Sequence, residues 1–188
     1  MIEVERKYKI ASLIELRRKL KRLGARRLGS KTEVDTYYSP PHQTFLGRPR
    51  YLRLRETVQG RRTWTQFEYH EAYAHFAARE HEVVVAEPRV LRYILKELKF
   101  VTELTVSKRR ETWRVKKVQV ELDQVRGLGQ FIELEVMGQG QRAALGLIMP
   151  LAHKLGLTER QRSPGYFKLL LKRQRPSVWR KYYAQTKA

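Results

Sequence analysis

The sequence predicts an α+β fold: one antiparallel sheet of eight strands, curled into a barrel with a charged interior and helices covering its apolar outside. Three observations carry this. Strand-like stretches outnumber helical stripes, by eight to three before a helical C-terminal segment. The order strand, helix, several strands occurs twice, which hints at two similar halves without a strict repeat. Along many strands, charged residues alternate with apolar ones, acids and bases being segregated onto different strands.

The elements follow in order. "IEVERKYKI" sets Glu3, Glu5 and Lys7 on one face of a strand and Ile2, Val4, Tyr8 and Ile10 on the other, because side chains alternate across a strand. Ser12 and Glu15 form a capping box that opens a helix with the stripe Leu13, Leu16, Leu20 and Leu23, ended by Gly24. Strands are predicted near 30–38, 50–57, 62–70 and 78–86, separated by Pro40-Pro41 and a turn around Gly60. Pro88 suits the first turn of a second helix carried by Val90, Leu91, Ile94, Leu95 and Leu98. Further strands read at about 103–114, 117–124 and 131–137, with "RGLGQ" between the last two. A third helix spans roughly 141–155 with Pro150 inside it, where a bend is expected, and the C-terminal helical segment starts near Tyr166.

At 188 residues the chain is one domain by length. It has no cysteine, which excludes disulfides and thiolate metal sites. Its acidic start does not read as a signal peptide, and no run of about eighteen apolar residues is present, so a soluble, cytoplasmic protein with no membrane contact is expected. Lys and Arg number 40 against 19 acids, a formal charge of +21, which implies a polyanionic partner: nucleic acid or a phosphate-rich ligand.

The opening alternation recurs. "YLRLRET" puts Arg53 and Arg55 opposite Leu52 and Leu54, "EHEVVV" pairs Glu80 with Glu82, and "VSKRRE" pairs Lys108 with Arg110. "VQVELDQV" sets Gln119, Glu121 and Asp123 opposite Val118, Val120 and Leu122, and "FIELEVM" sets Glu133 and Glu135 opposite Ile132, Leu134 and Val136. Eight of the 19 acids thus lie in pairs on strand stripes. A sheet with one wet face would more often mix signs along each strand. A barrel with these charges turned inward explains them better, its acids suited to divalent cations and its bases to phosphates.

Here the chain resembles a known family. "EVERK" matches the E-x-E-x-K signature of the CYTH, or triphosphate tunnel metalloenzyme, superfamily. The likeness continues in order through "DTYY" (Asp35 to Tyr38), "YLRLRE", "SKRRETW" and "ELDQVRGLGQFIELEV", the last most like class IV adenylyl cyclases, and ends near "RSPGYFKLLL". It implies a CYTH-like triphosphate tunnel domain over 1–172, followed by a basic aromatic tail over 173–188. It implies Mg²⁺ or Mn²⁺ as cofactor and a triphosphate such as ATP as substrate. Glu3, Glu5 and Glu133 would be metal ligands, with Asp123 and Glu135 as weaker candidates. Lys7, Arg53, Arg55, Lys108 and Arg110 would clamp phosphate oxygens in catalysis. The expected reaction is that of a cyclase, ATP to cyclic AMP and pyrophosphate. A triphosphatase (inorganic, thiamine or nucleoside) and a non-catalytic polyphosphate- or RNA-binding module are the alternatives.

Two departures from the family pattern stand out. Phe67 and Glu68 occupy the place of a lysine followed by glycine in the fourth strand, and Ala78 that of a lumen arginine in the fifth; Arg79 is one residue out of register and should face outward. Elsewhere, His42 reads as surface, and His70, His75, His81 and His153 show no metal spacing. The tail after Lys172 mixes Lys and Arg with Trp179, Tyr182 and Tyr183, a composition suited to nucleic acid but also to packing on the barrel. Oligomeric state is left open, a homodimer included.

Overall fold

The computed structural model describes residues 3–74 and 77–183, with side chains described outside 72–78. Ile2, His75 and residues 184–188 of the tail lie outside the described residues, as does the side chain of Ala78. The elements are β1 (Glu3–Ile10), α1 (Leu13–Arg22), β2 (Arg26–Ser39), β3 (Arg50–Gln59), β4 (Arg62–Ala74), β5 (Ala77–Val84), α2 (Pro88–Glu97), β6 (Val101–Val115), β7 (Val118–Val125), β8 (Gly129–Met137), α3 (Gln141–Leu155), α4 (Tyr166–Gln174) and α5 (Pro176–Tyr183). Ser12 Oγ accepts the Glu15 N–H at 3.3 Å and starts α1, while Gly24, at φ +69°, follows its end.

The eight strands form a closed antiparallel barrel in the order β1-β5-β4-β3-β2-β6-β7-β8. Closure is thin between β1 and β5, where Glu3 opposite Ala78 is the registered pair. That order hides a twofold relation. Exchanging β1 with β5, β2 with β6, β3 with β7 and β4 with β8 reproduces it. The registers obey the same exchange: Glu33 faces Lys108, and Asp35 faces Val106 as Lys31 faces Arg110. Arg55 faces Asp35 as Asp123 faces Arg110, and Arg53 faces Glu68 as Glu121 faces Glu133. The two halves are structural repeats, although the sequence carries no strict one.

Alternation sorts each strand into two faces. The outer residues of β1, β7 and β8 (Val4, Tyr8, Val118, Val120, Leu122, Ile132, Leu134, Val136) are buried under Leu13, Leu16 and Leu20 of α1 and Ala144, Ile148, Leu151, Ala152 and Leu155 of α3. On the other half, Tyr38, Leu54 and Leu95 of α2 form a smaller cluster. A third cluster joins Tyr37, Leu104, Val106, Val125 and Phe131 to Tyr166, Leu170 and Leu171 of α4. Those five strand residues share the lumen-facing register with Arg53, Asp35, Lys108 and Asp123, so α4 seals one region of the barrel with apolar packing. Val178, Trp179, Tyr182 and Tyr183 of α5 pack against the same cluster.

Candidate active site

The charged stripes do face inward. A cavity of about 580 Å³ runs through the barrel, lined by ten acids and ten Lys or Arg, although the chain as a whole has about twice as many bases as acids. More than half of the chain's carboxylates are gathered here.

Most lumen bases are held by buried acids. Lys108 Nζ lies 2.8 Å from Glu33 and 2.7 Å from Asp35. Arg55 makes two bonds to Asp35, at 2.6 and 2.9 Å. Arg53 donates to Glu68, which is 2% exposed, and lies 3.6 Å from Asp35. Arg110 spans three strands: it grips Asp123 at 2.8 and 2.6 Å and Glu133 at 2.6 Å. Tyr166 of α4 donates to Asp123 at 2.7 Å, and Lys7 Nζ reaches Glu133 at 2.9 Å. Burial opposes ionisation of Glu33, Asp35 and Glu133, but the neighbouring cations (Lys108 and Arg55 for the first two, Arg110 and Lys7 for Glu133) outweigh it and hold all three below the usual carboxylate range. Burial also works against the Lys7 ammonium, and Glu133 and Glu5 overcome it, raising its pKa. Lys108 goes the other way, lowered by burial and by Arg55.

Between β1, β7 and β8 the balance reverses. Glu5 faces Glu135 across β1 and β8, and Glu121 faces Glu133 across β7 and β8. Burial, then Glu135 and Glu5, push the Glu3 carboxyl up to about 10. Burial, aided by Glu133 and Glu5, exceeds the pull of Arg110 and raises Glu135 to about 7. Glu121 also reaches about 7 through burial, although Arg110 pulls the other way and Thr112 and Gln119 bond to it at 2.8 and 2.9 Å. Crowded carboxyls that take up protons for want of a cation are a donor set for a hard, oxygen-seeking ion. Glu3, Glu5 and Glu135, with Glu121 on the neighbouring β7, are the residues here that could supply such ligands. Both oxygens of Glu133 and of Asp123 are already engaged by cations or by Tyr166.

The lumen of β4 consists of Gln66, Glu68 and His70, which face Arg55, Arg53 and Tyr51. Of the two residues standing where the family has a lysine followed by glycine, it is Glu68 that turns inward. Phe67 faces Leu54 on the outer side and packs in the α2 cluster, so an acid, Glu68, holds the inward position. Arg79 is exposed, opposite Glu71, as its register requires. Ala78 stands in line with Glu80 and Glu82.

All ten candidates sit on lumen-facing registers. Nine of them line the cavity; Asp123 is the exception, fully buried behind Arg110. The structure adds Glu33, Asp35, Glu68, His70 and Tyr166 to them. Tyr183 of the tail also lines the cavity.

Comparison with known proteins now bears on this geometry. Residues 1–165 match the model of the CYTH domain. This chain belongs to the CYTH family. A protein of Methanocaldococcus jannaschii, provisionally named an adenylate cyclase, is 30% identical over 142 residues, 72% of this chain and 77% of the relative. The solved PH1819 protein of Pyrococcus horikoshii superposes with a TM-score of 0.83 at 26% identity, covering 92% of this chain and 99% of that one. A conserved hypothetical protein of Pyrococcus furiosus gives 0.78 at 25% identity, covering 89% and 99%. Among the described residues, no helix is long and apolar enough to cross a membrane.

Proposed function

We propose that this chain is a metal-dependent enzyme that binds a nucleoside triphosphate inside the barrel and cyclises it, as the provisional name of its M. jannaschii relative suggests for that protein. One observation supports the reading most: a single cavity joins a bank of phosphate-binding cations, a cluster of under-compensated carboxyls and an aromatic wall of Phe45, Tyr51, Phe167 and Tyr183. The cations Lys7, Arg53, Arg55, Lys108 and Arg110 would hold phosphate oxygens. Glu3, Glu5 and Glu135 would carry Mg²⁺ or Mn²⁺, which supplies charge neutralisation at the phosphates when bound. The aromatic wall suits a base or another flat organic group, which inorganic tripolyphosphate lacks.

In the cyclisation, the ribose 3′-oxygen bonds to the α-phosphorus while the bond from that phosphorus to its bridging oxygen breaks. Pyrophosphate leaves with the electron pair. Glu121, near 7 and not among the metal ligands, is suited to take the 3′-hydroxyl proton. The test is incubation of the purified protein with ATP, thiamine triphosphate and tripolyphosphate, with Mg²⁺ or Mn²⁺, and separation of products. Cyclic AMP with pyrophosphate supports the reading; orthophosphate from any of the three substrates makes the chain a triphosphatase.

A second reading has its own observation. Arg53, Arg55, Lys108 and Arg110 are all ion-paired with internal acids, so the tunnel could hold a polyphosphate without turning it over. Tight binding with no product in the same assay would favour that reading.

A further inference from the structure

We propose that Glu68, His70 and Glu80 form a second cation site, for a divalent transition-metal ion, on β4 and β5, across the β1–β5 seam from the Glu3–Glu5–Glu135 cluster. One donor atom from each of the three lies within 4.8 Å of the others. The three side chains come from the lumen faces of β4 and β5 and line the cavity. His70 Nδ1 is 3.2 Å from Glu80 Oε1, and its ring stacks on Tyr51 at 4.3 Å with planes 8° apart, which fixes the imidazole.

Glu68 supplies the independent sign of a ligand. It is 2% exposed, Arg53 holds its Oε2, and its Oε1 is buried without a hydrogen-bond partner. A buried carboxylate oxygen left unpaired costs free energy unless something fills its coordination. A cation between Glu68, His70 and Glu80 would fill it, with Arg53 kept on the other oxygen.

The twofold relation of the barrel says why a site should be here. It carries Glu5 onto Glu80, Glu135 onto His70 and Glu133 onto Glu68, since Glu5 faces Glu135 as Glu80 faces His70, and Lys7 faces Glu133 as Glu82 faces Glu68. It also carries Gln119, which reaches Glu135 at 3.3 Å, onto Tyr51, which orients His70. The second cluster is thus the counterpart of Glu5, Glu133 and Glu135 with Glu135 changed to an imidazole, while Glu3 has Ala78 as its counterpart. That change alters the metal preference. An all-oxygen cluster suits Mg²⁺, whereas one imidazole with two carboxylates suits Mn²⁺, Fe²⁺, Co²⁺ or Zn²⁺.

The test uses no triphosphate and so stands apart from the function proposed above. The whole protein, stripped of metal, is titrated with Co²⁺ and followed by calorimetry and by proton NMR for a hyperfine-shifted imidazole N–H. We expect that resonance in the native chain and in Glu135→Gln, and its loss in His70→Gln. Loss of a direct ligand should weaken this binding class by at least the about 10–100-fold typical of losing an outer-sphere partner. Glu80→Gln should weaken it similarly while retaining the fold by circular dichroism, which guards against a His70 variant that fails to fold. Co²⁺ binding unchanged in both variants, a shifted resonance that survives in His70→Gln, or no such resonance in the native chain would overturn the proposal.

Discussion

Removal of the Arg110 side chain should be costly, because from β6 it ties Asp123 on β7 to Glu133 on β8. In Arg110→Met the apolar stem remains and the charge goes. The three groups are 8%, 0% and 4% exposed, so the pair lies in the buried regime. Deleting one partner of a buried ion pair costs about 3–5 kcal/mol, since the other charge stays behind unpaired. The lower end applies here. Asp123 keeps the Tyr166 hydroxyl and Glu133 keeps Lys7. For a chain of this length each kcal/mol shifts Tm by about 2–4 °C, so a loss of about 3 kcal/mol corresponds to a fall of roughly 6–12 °C.

The assay is thermal unfolding of both proteins from pH 7 down to pH 3. Glu133 has its pKa depressed in the fold, so its contribution is present above the ordinary value of 4.5 and lost as pH falls below it. The variant lacks Arg110's share of that depression and has less to lose on acidification. The gap between the two proteins should therefore be widest at neutral pH and should shrink below about 4.5. A gap under ~1 kcal/mol at pH 7 would put the pair in the class of exposed salt bridges and refute the buried-charge argument. A gap that stays constant through the acid range would refute the assignment of Glu133 as an ionised partner.

The carboxyl cluster gives a pH prediction of the opposite sign. Glu3 and Glu135 have raised pKa values, so without metal their contribution is present below 4.5 and lost as pH rises through about 7 for Glu135 and about 10 for Glu3. Mn²⁺ must displace those protons, so titrations at pH 7 in buffers of different ionisation enthalpy should show proton release, diminished in Glu135→Gln. Glu5→Gln should leave thermal unfolding nearly unchanged, since Glu5 is exposed, and sharply reduce metal-dependent turnover or triphosphate binding; Arg53→Ala should instead weaken triphosphate affinity while metal dependence persists. Truncation after Lys172 removes the α5 side chains that cover the α4 cluster and Tyr183 from the cavity lining, so both Tm and triphosphate affinity should fall. If only RNA retention on a filter assay fell, the tail would be a separate nucleic-acid patch.

Much of this site was legible because period-two alternation is a local property. Glu3, Glu5 and Lys7 share a face whatever strand lies beside them, and so do Arg53 with Arg55 and Glu133 with Glu135. The same rule applied to "TWTQFEYHE" turns Gln66, Glu68 and His70 inward together and Phe67 outward, as β4 has them. Matching the segment to a family pattern at Phe67 hid what its own alternation said. "KTEVDTYY" likewise carries Lys31, Glu33, Asp35 and Tyr37 at alternate positions. What alternation could not supply was partnership. Glu33 meets Lys108 through the β2–β6 register, and Tyr166 reaches Asp123 from a helix outside the sheet. Such pairings depend on strand order and on where α4 docks, and neither is written locally.

That partnership changes the physical account of how a phosphate ligand enters. A triphosphate brings about four negative charges, and a purely basic tunnel would bind it by charge alone. This lumen is not of that kind: its ten lining bases are matched by ten lining acids. Each phosphate oxygen that takes Arg53, Arg55 or Arg110 must compete with Glu68, Asp35 or Asp123, which already hold them. Fixed ion pairs orient those guanidinium groups and so reduce the entropy of ligand capture, but they leave little net positive potential for it. Additional positive charge has to arrive with the ligand or before it, at the places where carboxyls are least compensated. Those places lie in the Glu3–Glu5–Glu135 cluster, where burial and like charge raise Glu3 and Glu135. Metal dependence in this chain would then follow from the electrostatics of entry as well as from chemistry at phosphorus, and phosphate binding itself should require the divalent ion even where no bond is broken.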